Sequence, residues 1–144
     1  MKLNKIYLKL YYITIFIILF ASSCKEKENS IPYAKVDIYI NVNSTQYIGL
    51  NSIGGWVYLT GGYRGIIVYR KSTEEFVAYE RTCTYDPEIQ TAKVQVENNG
   101  MIAIDSTCGS RFILIDGSVY STPAKVGLKQ YRTEFDGNIL HIYN

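Results

Sequence analysis

The residues able to do chemistry gather in one stretch, Glu80 to Phe112. It opens with Arg81-Thr82-Cys83-Thr84-Tyr85-Asp86-Pro87 and closes with Asp105-Ser106-Thr107-Cys108-Gly109-Ser110-Arg111-Phe112. Each half is a short polar loop holding one cysteine and following a strand-like run. Cys83, Cys108, Asp86 and Asp105 offer thiolates and carboxylates, which are metal ligands, and the thiols are also redox-active. Zinc prefers four ligands, commonly with cysteines in tight pairs, and neither cysteine has such a near partner. The chain holds one histidine, His141, in a closing alternating strand and far in sequence from both loops. A serine nucleophile therefore lacks a placed base, and no enzyme activity is expected. Asp86 and Glu88, two apart beside a proline, read as a turn with a solvated face. Gly54-Gly55 and Gly61-Gly62 read as turns, since no phosphate-loop motif follows them.

The elements that must position these loops read as β-structure. Val36, Ile38, Ile40 and Val42 alternate with Asp37, Tyr39 and Asn41, the pattern of a half-buried strand. Trp56 to Leu59 forms a second strand. Gly65 to Arg70 forms a third, whose four consecutive apolar residues predict burial on both faces. Phe76 to Tyr79 leads directly into the first loop. Lys93 to Glu97 and Met101 to Ile104 flank Asn98-Asn99-Gly100, a strong hairpin signal. Ile139 to Tyr143 is the last strand. Asn43 to Ser52 reads as a polar connection, and no stretch after Cys24 has the period of an amphipathic helix. Many short strands with regular turns predict an antiparallel sandwich or barrel. Of fourteen tyrosines, most fall in strand-like runs, where tyrosine is simply a good β residue; Tyr63 and Tyr85 fall in turns or loops.

The N-terminus reads differently. Lys2, Lys5 and Lys9 precede the apolar run Leu10 to Phe20, which fits the core of a secretory signal. Ala21-Ser22-Ser23-Cys24 resembles a bacterial lipobox. That resemblance implies a signal peptide over residues 1–23, cleavage before Cys24, and lipid on its thiol. Residues 24–32 would then tether a domain at 33–144. Loss of the three leader lysines takes the formal charge from +2 to −1, which leaves no basic character that would predict nucleic-acid binding. The charged residues after Cys24 resemble surface-export signals of Bacteroidetes-type bacteria. The expected location is the cell envelope, lipid-anchored at the outer membrane and facing the periplasm or the cell surface.

The two loops resemble the cluster-binding loops of Rieske iron–sulfur proteins, in which C-x-H and C-x-x-H loops hold a [2Fe–2S] centre. Cys83-Thr84-Tyr85 matches the first loop with tyrosine at the histidine position. In the second loop, Arg111 takes the histidine position if Cys108 is the cysteine. If Gly109-Ser110-Arg111-Phe112 is matched to the residues that follow the histidine, Cys108 takes that position and Asp105 the cysteine. Asp116-Gly117-Ser118-Val119, Pro123-Ala124, Leu128 and Tyr131 extend the resemblance, which runs from about Gly54 to the C-terminus. It implies an all-β, antiparallel Rieske-like sandwich or barrel with an inserted two-loop hairpin subdomain over about residues 80–121. Cys83, Tyr85, Asp105, Cys108 and Arg111 would be vestigial cluster positions, with no cofactor or metal expected.

With Cys24 lipidated, and the loops facing each other as in that fold, Cys83 and Cys108 are expected to form a disulfide. It would add about 3 kcal/mol. Arg111 is expected to cross-link the loops through their carbonyls, Asp86 or Asp105. The function expected is a structural or binding role at the envelope, with an envelope protein or glycan as partner. The alternative is electron transfer by an atypical [2Fe–2S] centre.

Overall fold

The computed structural model describes residues 30–144. The expected signal peptide, Cys24 and most of the tether lie outside the described residues. The described part is all-β, with ten strands in two antiparallel sheets. The larger sheet contains β1 (Asp37–Asn41), β2 (Trp56–Leu59), β3 (Ile66–Arg70), β4 (Phe76–Glu80), β9 (Gln130–Phe135) and β10 (Ile139–Tyr143), in the order β1-β10-β9-β4-β3-β2. The smaller sheet is β5 (Gln95–Val96), β6 (Ile102–Ile104), β7 (Arg111–Ile113) and β8 (Val119–Ser121), in sequence order. It is inserted between β4 and β9.

The alternation in β1 is realised. Val36, Ile40 and Val42 are buried, and Asp37, Tyr39 and Asn41 are exposed. β3 and β4 are buried on both faces because each separates two cores. On one face Ile66, Val68, Phe76 and Ala78 pack with Ile40, Leu50, Tyr131, Leu140 and Ile142. On the other, Ile67, Tyr69, Val77 and Tyr79 pack with Cys83, Val94, Phe112 and Leu114. The second core is what docks the smaller sheet and buries the first cysteine. The connection after β1 departs from a plain polar link. Thr45–Leu50 forms a 3-10 helix, capped by Ser44 Oγ accepting from Gln46 N–H at 3.3 Å, and it buries Leu50.

Among the described residues, four polar ones, Glu80, Thr82, Asp105 and Ser110, are buried, and Glu80 is the largest of them. Glu80 ends β4 and is fully buried. Its Oε1 accepts from Arg64 N–H (2.9 Å), Thr82 N–H (3.0 Å) and Thr82 O–H (2.8 Å). Its Oε2 accepts from Tyr63 N–H (2.6 Å) and Tyr131 O–H (2.7 Å). Burial alone would raise its pKa, but these donors more than offset that and hold it below the usual carboxylate range. Gly62 sits at φ +63°, and any side chain there would run into Glu80 Oε2.

Glu80 carries a pH signature. With its folded pKa depressed, the carboxylate's contribution is fully present above the unfolded value and is lost as pH falls through the folded one. Glu80→Gln turns an amide donor toward a donor. It should cost about 2–3 kcal/mol at neutral pH and flatten the acid limb of stability, measured by thermal melts across pH.

Candidate functional site

The site is built where β4 runs into the first loop and β6 runs into the second. Cys83 is anchored by its own backbone, its N–H donating to Ala92 O at 3.1 Å. An isolated bridge between Thr82 and Lys93 holds the same segment. The second loop is a tight turn: Gly109 N–H donates to Asp105 O (2.7 Å) and Asp105 N–H to Ser110 O (2.9 Å). Asp105 Oδ1 accepts from Thr107 N–H at 2.9 Å. Ser110, also buried, takes Ala124 N–H on its Oγ at 2.9 Å, tying the Pro123-Ala124 segment to this loop.

These turns bring Cys83, Asp105 and Cys108 together, with their ligand atoms all within 4.8 Å of one another. Both cysteines are free thiols in this structure, where the sequence leads one to expect a bond between them. The sulfurs are 3.7 Å apart. Cys108 Sγ is turned toward its own loop, 3.3 Å from Asp105 Oδ2 and 3.1 Å from Ser110 Oγ, and receives Ser110 N–H at 3.5 Å. Cys83 is fully buried. Burial pushes its thiol pKa up strongly. A backbone hydrogen bond from Tyr85 works against that, while Asp105 and Cys108 add to it. Cys83 therefore stays a neutral thiol at physiological pH and is a poor nucleophile.

The remaining expected positions diverge. The Tyr85 side chain is exposed. Arg111 does not reach Asp86 or Asp105. It lies in β7, and its Nε pairs with Glu97 Oε1 at 2.8 Å on the outer face of the smaller sheet. The reason is register: Arg111 stands opposite Ile104, and Ile104 opposite Gln95, so its side chain shares a face with the end of β5. His141 belongs to the other sheet, with Nε2 2.9 Å from Asp37 Oδ1 and its ring stacked between Tyr39 and Tyr143. The site thus holds two thiols and one carboxylate. These do not fit a Rieske [2Fe–2S] centre, which takes two thiolates on one iron and two imidazoles on the other.

Glu80 was not singled out by sequence reasoning, although it starts the stretch. An acid inside an apolar strand was the available signal. The cations around it, Arg64, Arg81 and Lys93, carried no such signal.

No family model and no curated protein matches the chain. Among solved structures, the chain is similar to the ferredoxin of carbazole 1,9a-dioxygenase from Nocardioides aromaticivorans IC177. The identity is 13%, covering 75% of this chain and 97% of that one, with a TM-score of 0.48.

The geometry separates the two loop residues energetically. Arg111→Ala removes a partly exposed ion pair and should cost less than about 1 kcal/mol. Asp105→Ala strands Thr107 N–H and opens the turn, and should cost about 1–3 kcal/mol. Urea unfolding of both variants measures the difference.

Proposed function

We infer that this is a lipid-anchored envelope protein whose Rieske-like domain works without an iron–sulfur cluster, in a structural or binding role. The observation that carries this is the donor set at the tip. Two thiols stand 3.7 Å apart, one of them sealed in the core, and the other ligand positions hold an exposed tyrosine and an arginine engaged elsewhere. A cluster joins two loops as well as carrying electrons. A Cys83–Cys108 bond joins the same two loops and replaces only the first role. Forming it needs the sulfurs to close to about 2.05 Å. Two electrons and two protons pass to a disulfide-exchange oxidant of the envelope. Lipid on Cys24 would hold the domain at the membrane, leaving its loops to meet an envelope protein or glycan.

A second reading, metal-dependent electron transfer, has one observation in its favour. Two thiolates bound at about 2.3 Å to one tetrahedral ion span close to the distance between these sulfurs. Asp105 would be a third ligand.

The full chain, made in an envelope-competent bacterial host, separates the two. The first reading expects a colourless protein, free of iron and zinc, whose intact mass rises by about two units on reduction after unfolding. Cys83 should resist alkylation while the protein is folded. Stoichiometric iron, with both thiols free once it is removed, overturns that reading in favour of the second; stoichiometric zinc, which is redox-inactive, overturns the metal-free reading without supporting electron transfer. Release of a Cys24→Ser variant from membranes checks the anchor.

A further inference from the structure

Three cations converge on one groove of about 480 Å³. Its walls are the segment from Tyr58 to Gly65, with Arg81 and Lys93. Arg81 Cζ lies over the Tyr58 ring, 3.6 Å from its centroid, and its Nε donates to Val94 O at 3.1 Å. Arg64 lies 5.0 Å over the Tyr63 ring, and its Nη1 donates to Ala92 O at 3.1 Å. Each guanidinium is therefore held in place by one backbone carbonyl and one ring, with other N–H donors to spare. Lys93 Nζ makes no ion pair among the described residues. The position a Cβ would take on Gly65 lies 3.3 Å from Arg81 Cδ and 3.8 Å from Lys93 Nζ, so glycine there keeps the groove floor open between them.

The acid beside Lys93 is Glu80, and its two oxygens are already taken by five donors. It lowers the local potential without forming a contact pair. The lysine consequently carries the strain of the cluster: burial lowers its pKa first, Arg81 and Arg64 lower it further, and Glu80 only partly opposes them. Like charges held rigidly together are unfavourable, and an anion seated among them removes that cost. Oriented guanidiniums and a free ammonium together match an oxyanion with several acceptor oxygens. Tyr58 and Tyr63 each have a guanidinium over one ring face but stay partly exposed, and their uncovered parts add apolar surface beside it.

We propose that this groove binds a tetrahedral oxyanion, sulfate or phosphate, borne on a sugar, with Arg64, Arg81 and Lys93 on the anion and Tyr58 and Tyr63 against the ring. The site uses neither cysteine, so it goes beyond the reading of the thiol pair and stands or falls separately from it.

The test is a titration of the isotope-labelled full chain with glucose 6-sulfate, glucose 6-phosphate, sodium sulfate and sodium phosphate, at fixed ionic strength in chloride. Saturable amide shifts confined to Gly61–Gly65 and Lys93 are expected, with sugar esters at least tenfold tighter than the inorganic ions. Lys93→Met should weaken the ester at least tenfold. Lys93 Nζ holds no hydrogen bond among the described residues, so this variant should melt within a few degrees of the parent. Arg64→Gln provides a second variant with the same expectation for binding. Shifts that stay linear or spread over the surface, or full affinity in both variants, overturn the proposal. Inorganic ions binding as tightly as the esters overturn the sugar and leave an oxyanion site alone.

Discussion

The structure depends on one buried carboxylate. Glu80 closes β4 at the point where the larger sheet gives way to the loops, and it meets donors from three places at once. Tyr63 and Arg64 belong to the glycine-rich turn between β2 and β3. Tyr131 comes from β9, and Thr82 leads into the first cysteine. A charge in a low-dielectric interior is tolerated only when its lone pairs are filled, and here they are. That requirement sets the path of the turn, pins β9 beside β4, and aims the chain at Cys83. A hydrophobic residue could fill the volume but could not align three separate segments.

From that anchor the two halves of the domain follow. β3 and β4 carry a core on each face, so the smaller sheet can seat itself on Tyr69 and Tyr79 without leaving the larger sheet's own core open. Seating the smaller sheet brings its β6–β7 turn against the segment after β4. Cys83 and Cys108 meet for that reason and not through any local pattern. The inward residues Ala103, Phe112 and Leu114 fill the interface, while Arg111 and Glu97 face outward and pair there. Alternation along β7 thus decides that Phe112 packs and Arg111 does not reach the thiols.

The basic groove and the thiol pair draw on the two ends of the same short segment, Arg81 to Cys83. Their physics is opposed. At the pair, burial keeps Cys83 neutral and slow to react. At the groove, two guanidiniums are tethered to backbone carbonyls beside Lys93. Ala92 links the two, since its carbonyl accepts from both Cys83 N–H and Arg64 Nη1. The loop between β4 and β5 is therefore shared by both surfaces.

The sequence by itself determined what depends on neighbours along the chain. Val36 to Val42 shows its buried side by a period of two. Ile66 to Tyr69 shows double burial by continuous apolar residues. Asn98-Asn99-Gly100 marks its turn, and the two cysteine loops announce themselves by composition. Only the tertiary structure decided what depends on strand order and register. It chose Glu97 for Arg111, Asp37 for His141, and five scattered donors for Glu80, and it gathered Arg64, Arg81 and Lys93 on one groove. It also coiled Thr45–Leu50 to bury Leu50 within a segment whose polar residues mark a connection. Periodicity and turn chemistry act over a few residues and so can be read directly. A side chain's partner is settled by which strands lie side by side, and that choice belongs to the packed core as a whole.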